Sequence, residues 1–191
     1  MGLRCVGMSL ISVAELCELI AGDEHSDLVV CDVRFHLDDH DRGRRDYDEA
    51  HLPMAQFVDL HTELAGNDEY LGGGRHPLPS TERFAELLGR LGVTPGSTVV
   101  AYDSAGGAIA SRLWWMLRSV GHDDALVLDG GIDAWTRAGH PMTTEAPDVT
   151  PSDHPIPAGW TGLVDAGEVM REIESGTTVI DARSADRFRG E

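Results

Sequence analysis

At 191 residues the chain has room for one full domain and part of another, and two complete large domains are excluded. Hydrophobic residues make up 41% and charged residues 25%, a globular mix far from the signature of disorder. Fifteen basic residues against 33 acidic ones leave a net charge of −18, which argues against nucleic-acid and anionic-membrane partners because both need a basic footprint.

The first residues, MGLRCVGMSLISV, contain neither a basic region nor a long apolar stretch. No apolar run approaches the roughly 18 residues of a membrane span. Residues 1–8 read as an N-terminal extension, with Met8 as a second candidate initiator. Ser12 and Glu15 stand at capping-box spacing and open a helix through about Ile20. LVVCDV at 28–33 is a continuous apolar run of strand length, the pattern of a strand covered on both faces. AQFVDL at 55–60 reads as a second, shorter strand. Ser80 is placed to cap a helix carrying Phe84, Leu87, Leu88 and Leu91, ended near Gly92. STVVAY at 97–102 is another buried strand, and IASRLWWMLRSV at 109–120 is a helix that stops at Gly121. ALVLD at 125–129 is a strand, and GIDAWTRAG at 131–139 is a short helix. Strands alternating with helices predict an α/β domain whose parallel sheet has helices on both faces.

Five of the nine prolines fall within 141–162, namely Pro141, Pro147, Pro151, Pro155 and Pro157. That stretch reads as an extended interdomain linker, leaving residues 9–140 as a first domain. Beyond it, LVDAGEVMREIESG predicts a helix, with Asp165 and Glu168 at capping-box spacing, and TTVIDARS at 177–184 predicts a strand. This stretch repeats the start of the chain: Asp32 and Arg34 recur 149 positions later as Asp181 and Arg183. One helix and one strand cannot bury their own apolar faces, so residues 163–191 read as the start of an incomplete second copy.

All fifteen basic residues are arginines, which excludes lysine Schiff-base chemistry and the lysine-bearing P-loop. Cys5, Cys17 and Cys31 are odd in number and lack CxxC spacing, so they read as reduced thiols of a cytoplasmic protein. Cys31, inside LVVCDV, is expected to be packed and inert. HLDDHD at 36–41 gathers histidines and aspartates, but no regular element fixes their geometry. The adjoining DRGRRD offers compensating charge, so a solvated loop is favoured over a metal site. His51 reads as a hydrogen-bonded structural histidine, and Trp114, Trp115 and Trp135 as packing residues. Asp103, at a strand end before Gly106 and Gly107, reads as a cap of the following helix in preference to an aspartyl nucleophile or a phosphate cradle. No metal or organic cofactor is implied.

Several segments, in order over nearly the whole chain, resemble the rhodanese family and specifically its tandem-domain members, the thiosulfate and 3-mercaptopyruvate sulfurtransferases. They are VVCDVRF at 29–35, YDEAHLPMA at 47–55, HPLPS at 76–80, VVAYDSAGGAIASRLWWMLRSVGH at 99–122, LDGGIDAW at 128–135 and VIDARSADRFRG at 179–190. Ala50 and Met54 stand where the family has glycines. The resemblance implies a cysteine persulfide that carries sulfur from a small anionic donor to cyanide or a thiol acceptor. It puts Asp103 at the nucleophile position of the first module, which is therefore implied to be non-catalytic, with the persulfide loop beyond Glu191. It implies that Arg187 binds the anionic donor and that Asp181 and Arg183 are structural near that site. A guanidinium fork suits thiosulfate or a mercaptopyruvate carboxylate. The competing expectation is a cysteine-less binding module that uses the Asp103 loop for recognition.

Overall fold

The structure, a computed structural model, describes residues 9–22, 27–66 and 76–190. Cys5 and the candidate initiator Met8 lie outside the described residues. The chain divides into two units, one ending at Trp160 and one starting at Thr161.

Among the described residues the first unit is built on five strands: β1 (Leu10–Ile11), β2 (Leu28–Asp32), β3 (Ala55–Phe57), β4 (Thr98–Tyr102) and β5 (Ala125–Leu128). They lie in the order β1-β5-β4-β2-β3, with every neighbouring pair parallel. The apolar run of β2 is explained by two cores, one on each face of the sheet. Leu28 and Val30 point into one core, while Val29 and Cys31 point into the other, as the period of two requires. β4 does the same with Val100 and Tyr102 against Val99 and Ala101.

Helices α3 (Thr81–Arg90) and α4 (Ala110–Ser119) cover the face of Val29 and Cys31 with Phe84, Leu87, Leu88, Leu113, Met116 and Leu117. The other face takes Leu16 of α1 (Val13–Ala21), Tyr47 of α2 (Arg42–Glu49), and Ile132 and Trp135 of α5 (Gly131–Arg137). The expected sheet with helices on both faces is therefore present. The caps expected at Ser12 and Ser80 are both formed, Ser12 as a full capping box with Glu15.

Three local expectations are corrected. Residues 42–49, left without a helix in the sequence reading, form α2, which buries only Gly43 and Tyr47 and so shows no apolar stripe. Strand β3 stops at Phe57 instead of reaching 60, because Asp59 turns the chain by accepting from the Thr62 backbone N–H. The stretch 177–184 forms no strand: Val179 and Ile180 are exposed, and none of the described residues offers it a ladder.

Gly43 is where α2 crosses the end of β2, and a Cβ built there would lie 2.0 Å from the Arg34 carbonyl oxygen. Helix propensity alone favours alanine over glycine by about 1 kcal/mol. The steric overlap reverses that sign, so Gly43→Ala is expected to destabilise the fold by about 2 kcal/mol in urea unfolding.

Residues 141–160 run without helix or strand as a strap fastened to the first unit. Thr143 pairs with His51 through two backbone hydrogen bonds of 2.9 Å. Ser152 donates its backbone N–H to the Gly89 carbonyl and its hydroxyl to the Val93 carbonyl. The Trp160 ring packs beside Phe84 and Trp115, and its indole N–H donates to the Pro79 carbonyl.

The second unit contains α6 (Ala166–Glu174), opened by the expected capping box of Asp165 and Glu168, and α7 (Ala185–Arg189). Met170, Ile173, Ile180 and Phe188 are exposed. Among the described residues no helix is long and apolar enough to cross a membrane.

Candidate functional site

The C-terminal edge of β4 leads straight into a closed loop around Asp103, which is 1% exposed. Gly106 and Gly107 take positive φ values of 66° and 87°, a conformation open to glycine at little cost, and fold the backbone N–H groups inward. Asp103 Oδ1 accepts from the N–H groups of Ala105 and Gly107, and Oδ2 from those of Ile109 and Ala110, all four at 2.8 Å. The last two donors lie at the start of α4, so the carboxylate does cap that helix, and also closes the loop before it. A carboxylate offers about four lone-pair sites, and all are taken. None is left for the aspartyl-nucleophile role that the sequence left open.

Beneath this loop lies a buried polar network. Arg34 grips Asp32 with its backbone N–H at 3.0 Å, its Nε at 3.0 and 2.9 Å, and its Nη2 at 2.6 Å. Nη2 also donates to the Ala50 carbonyl. The Tyr102 hydroxyl donates to Asp32 Oδ2 at 2.7 Å and accepts from the Leu52 N–H. Burial, reinforced by the Asp32 carboxylate, pushes the Tyr102 phenol well above its usual range, so it remains a proton donor at neutral pH. Tyr102 immediately precedes Asp103, so one strand end ties the D-x-R pair to the loop. The pairing of residues 32 and 102 has no signal in the sequence. A further contributor missed there is Arg112 of α4, which clamps the Leu64 and Pro77 carbonyls.

In the second unit Arg183 grips Asp181 through the same four contacts, at 2.9, 3.0, 2.9 and 2.6 Å. Hydrogen bonds from the Arg183 side chain and backbone lower the Asp181 carboxyl to about 2. This D-x-R fork is set by local chain geometry, since it forms at the exposed pair as well as at the buried one. Arg187 is exposed on α7, four residues beyond Arg183.

The remaining sequence candidates separate cleanly. Cys31 is fully buried, and burial pushes its thiol up to about 12. It is expected to resist a disulfide reagent at pH 8 until the protein is unfolded, whereas the partly exposed Cys17 should react first. In HLDDHD, Asp39 pairs with Arg45 of α2, the charge compensation expected of a solvated loop, and His36 hydrogen-bonds with Asp46. His40 and His76 pack against the Phe35 ring, and His61 packs against both of those histidines. No three His, Cys, Asp or Glu side chains among the described residues converge to hold a metal. His51 is fully buried and hydrogen-bonded, Trp135 is buried, and Trp114 and Trp115 pack on the core.

Residues 12–138 match the family model described as Rhodanese-like domain. The chain is 37% identical over 186 residues to a probable 3-mercaptopyruvate sulfurtransferase of Pseudomonas aeruginosa, covering 96% of the chain and 66% of that protein. It is 37% identical over 191 residues to a putative thiosulfate sulfurtransferase of Mycobacterium tuberculosis, covering 97% of the chain and 64% of that protein. It therefore spans about two thirds of the length of these curated relatives. Among solved structures it resembles the 3-mercaptopyruvate sulfurtransferase from Leishmania major with a TM-score of 0.80 at 30% identity, covering 98% of the chain and 50% of that one.

Proposed function

The chain belongs to the rhodanese-like family, and from that premise we propose that the protein it forms part of is a sulfurtransferase whose persulfide cysteine lies in a second module. The observation that carries this reading is the loop around Asp103. Four converging amide N–H groups form the setting in which a thiolate or persulfide is stabilised, yet in this module it is filled by a carboxylate that can carry no sulfur. Residues 9–140 are then a non-catalytic first module, the stretch 141–162 links it onward, and residues 163–191 begin the catalytic copy. The repeated D-x-R fork at Asp181 and Arg183 supports that division. So do the relatives, named as thiosulfate and 3-mercaptopyruvate sulfurtransferases and longer than this chain.

The chemistry proposed is a two-step transfer. The cysteine thiolate attacks the outer sulfur of thiosulfate, the S–S bond breaks, and sulfite leaves with the electron pair. With 3-mercaptopyruvate the C–S bond breaks and pyruvate leaves after its carbon takes a proton. Cyanide or a thiol then removes the terminal sulfur and returns the thiolate. Arg187 binds the anionic donor, while Asp181 holds Arg183 as a structural element beside the loop. The chain carries a net charge of −18, so a local cationic site is needed to attract such a donor. No metal or organic cofactor enters this scheme, and the free thiols of Cys17 and Cys31 support a cytoplasmic setting.

Two assays test the reading. Residues 1–191 should form no thiocyanate from thiosulfate and cyanide above a control with Cys5, Cys17 and Cys31 all changed to Ala. In the intact protein, Arg187→Ala should lower kcat/KM for the anionic donor by about 10- to 100-fold, the worth of one or two charge-assisted hydrogen bonds. Arg187→Lys should recover part of the loss, because the charge stays and the fork is gone. An unchanged kcat/KM in Arg187→Ala would remove Arg187 from the site.

A further inference from the structure

We propose that His51 is a protonation-controlled clasp for the strap of residues 141–160: as an imidazolium it fastens the strap at Glu145, and on losing a proton it releases that point. The inference is independent of the sulfur-transfer reading. His51 Nδ1 lies 2.7 Å from the Tyr47 carbonyl oxygen and Nε2 lies 3.1 Å from the Glu145 carbonyl oxygen. Carbonyl oxygens only accept, and a neutral imidazole has one donor nitrogen and one acceptor nitrogen. Only the doubly protonated ring can bond both. In the neutral ring one nitrogen lone pair would face a carbonyl lone pair, and the ring is fully buried, so water cannot stand between them.

A second observation points the same way. The imidazole lies on the Tyr47 ring with centroids 3.8 Å apart and planes 8° apart. Two neutral rings avoid such a face-to-face sandwich, whereas a cation is drawn to the face of a phenol. The charged surroundings are mixed. Asp46 and Asp48 flank Tyr47 on α2 but are bonded to His36 and Arg44. Arg44 lies 5.4 Å from the Tyr47 ring centroid. Arg34 bonds the Ala50 carbonyl next to His51. The strap adds Glu145 itself.

The device acts on one point of the strap. The backbone pairing of His51 with Thr143 lies two residues from Glu145, whereas the anchors at Ser152 and Trp160 lie well beyond it. Deprotonation therefore loosens residues 143–145 and leaves the rest of the strap fastened. Acid closes the clasp and alkali opens it.

The test is nuclear magnetic resonance of the full, nitrogen-15-labelled chain as a function of pH. At the acid end both nitrogens of His51 should carry protons. His122 is the internal control: its Nε2 faces a single carbonyl, that of Ser97, and burial disfavours its charged form, so its geometry calls for no second proton. As the pH rises, hydrogen-exchange protection of the Thr143 amide should fall by about tenfold relative to the amides of β4. In His51→Gln, whose β4 protection verifies folding, that dependence on pH should vanish. A single protonated nitrogen on His51 throughout the range would overturn the proposal, as would a Thr143 response equal in His51→Gln.

Discussion

Asp103→Ala is expected to lower the unfolding free energy of the first unit by about 4 kcal/mol, at about 1 kcal/mol for each of four hydrogen bonds lost. The four amide groups that now donate to the carboxylate at 2.8 Å would be left converging on an empty space. Two of them open α4, so the start of that helix should fray as well. Asp103→Asn separates charge from shape. Its amide group would turn donors toward two of the same N–H groups, so it should recover little of the loss. Urea unfolding followed by circular dichroism reads both variants. A loss under about 1 kcal/mol in Asp103→Ala would mean that the loop is held by something other than this side chain. The same loop sets the functional argument, because a site fully satisfied by its own carboxylate has no capacity for a sulfur intermediate.

The second large effect is expected at Asp32. Asp32→Ala would leave the Arg34 guanidinium in a buried position with the Ala50 carbonyl, and would strip the Tyr102 hydroxyl of its acceptor. Breaking one side of a buried ion pair costs about 3–5 kcal/mol, mostly because the other charge stays behind. The double variant Asp32→Ala with Arg34→Met removes both charges, and should therefore be more stable than Asp32→Ala alone. Asp181→Ala offers the contrast. Its partner Arg183 is exposed on the second unit, where water replaces the lost carboxylate, so unfolding of the present chain should hardly change. Equal losses at Asp32 and Asp181 would show that burial does not distinguish the two copies of the motif.

The strands were legible because their apolar runs are long enough to feed two cores. LVVCDV could be read as buried on both faces before any neighbour was known, and Val29, Val30 and Cys31 do alternate between faces. The caps at Ser12, Ser80 and Asp165 were legible for a different reason, since each is a contact made within one turn of its own helix. Helix α2 was not, because RGRRDYDE touches the core only through Gly43 and Tyr47. Its remaining residues carry the charge pattern of a loop. At 177–184 the composition of a strand was present without a sheet to join, and strand propensity depends on partners. In the site, Asp103 declared itself as a cap by its place before two glycines, but the fourfold amide cradle depends on how the loop closes. The union of Asp32 with Tyr102, seventy residues apart along the chain, follows from β2 and β4 lying side by side in register. Resemblance to a family implied a structural role for Asp181 and Arg183, and the fork by which each arginine grips its aspartate is the same in Arg34 and Arg183.

The most direct test of the central claim is peptide-resolved mass spectrometry of the intact protein after incubation with thiosulfate or 3-mercaptopyruvate and removal of excess donor. The account predicts the mass of one added sulfur on a cysteine outside residues 1–191, with Cys5, Cys17 and Cys31 unmodified. Added sulfur on any of those three thiols, and on no other cysteine, would contradict it.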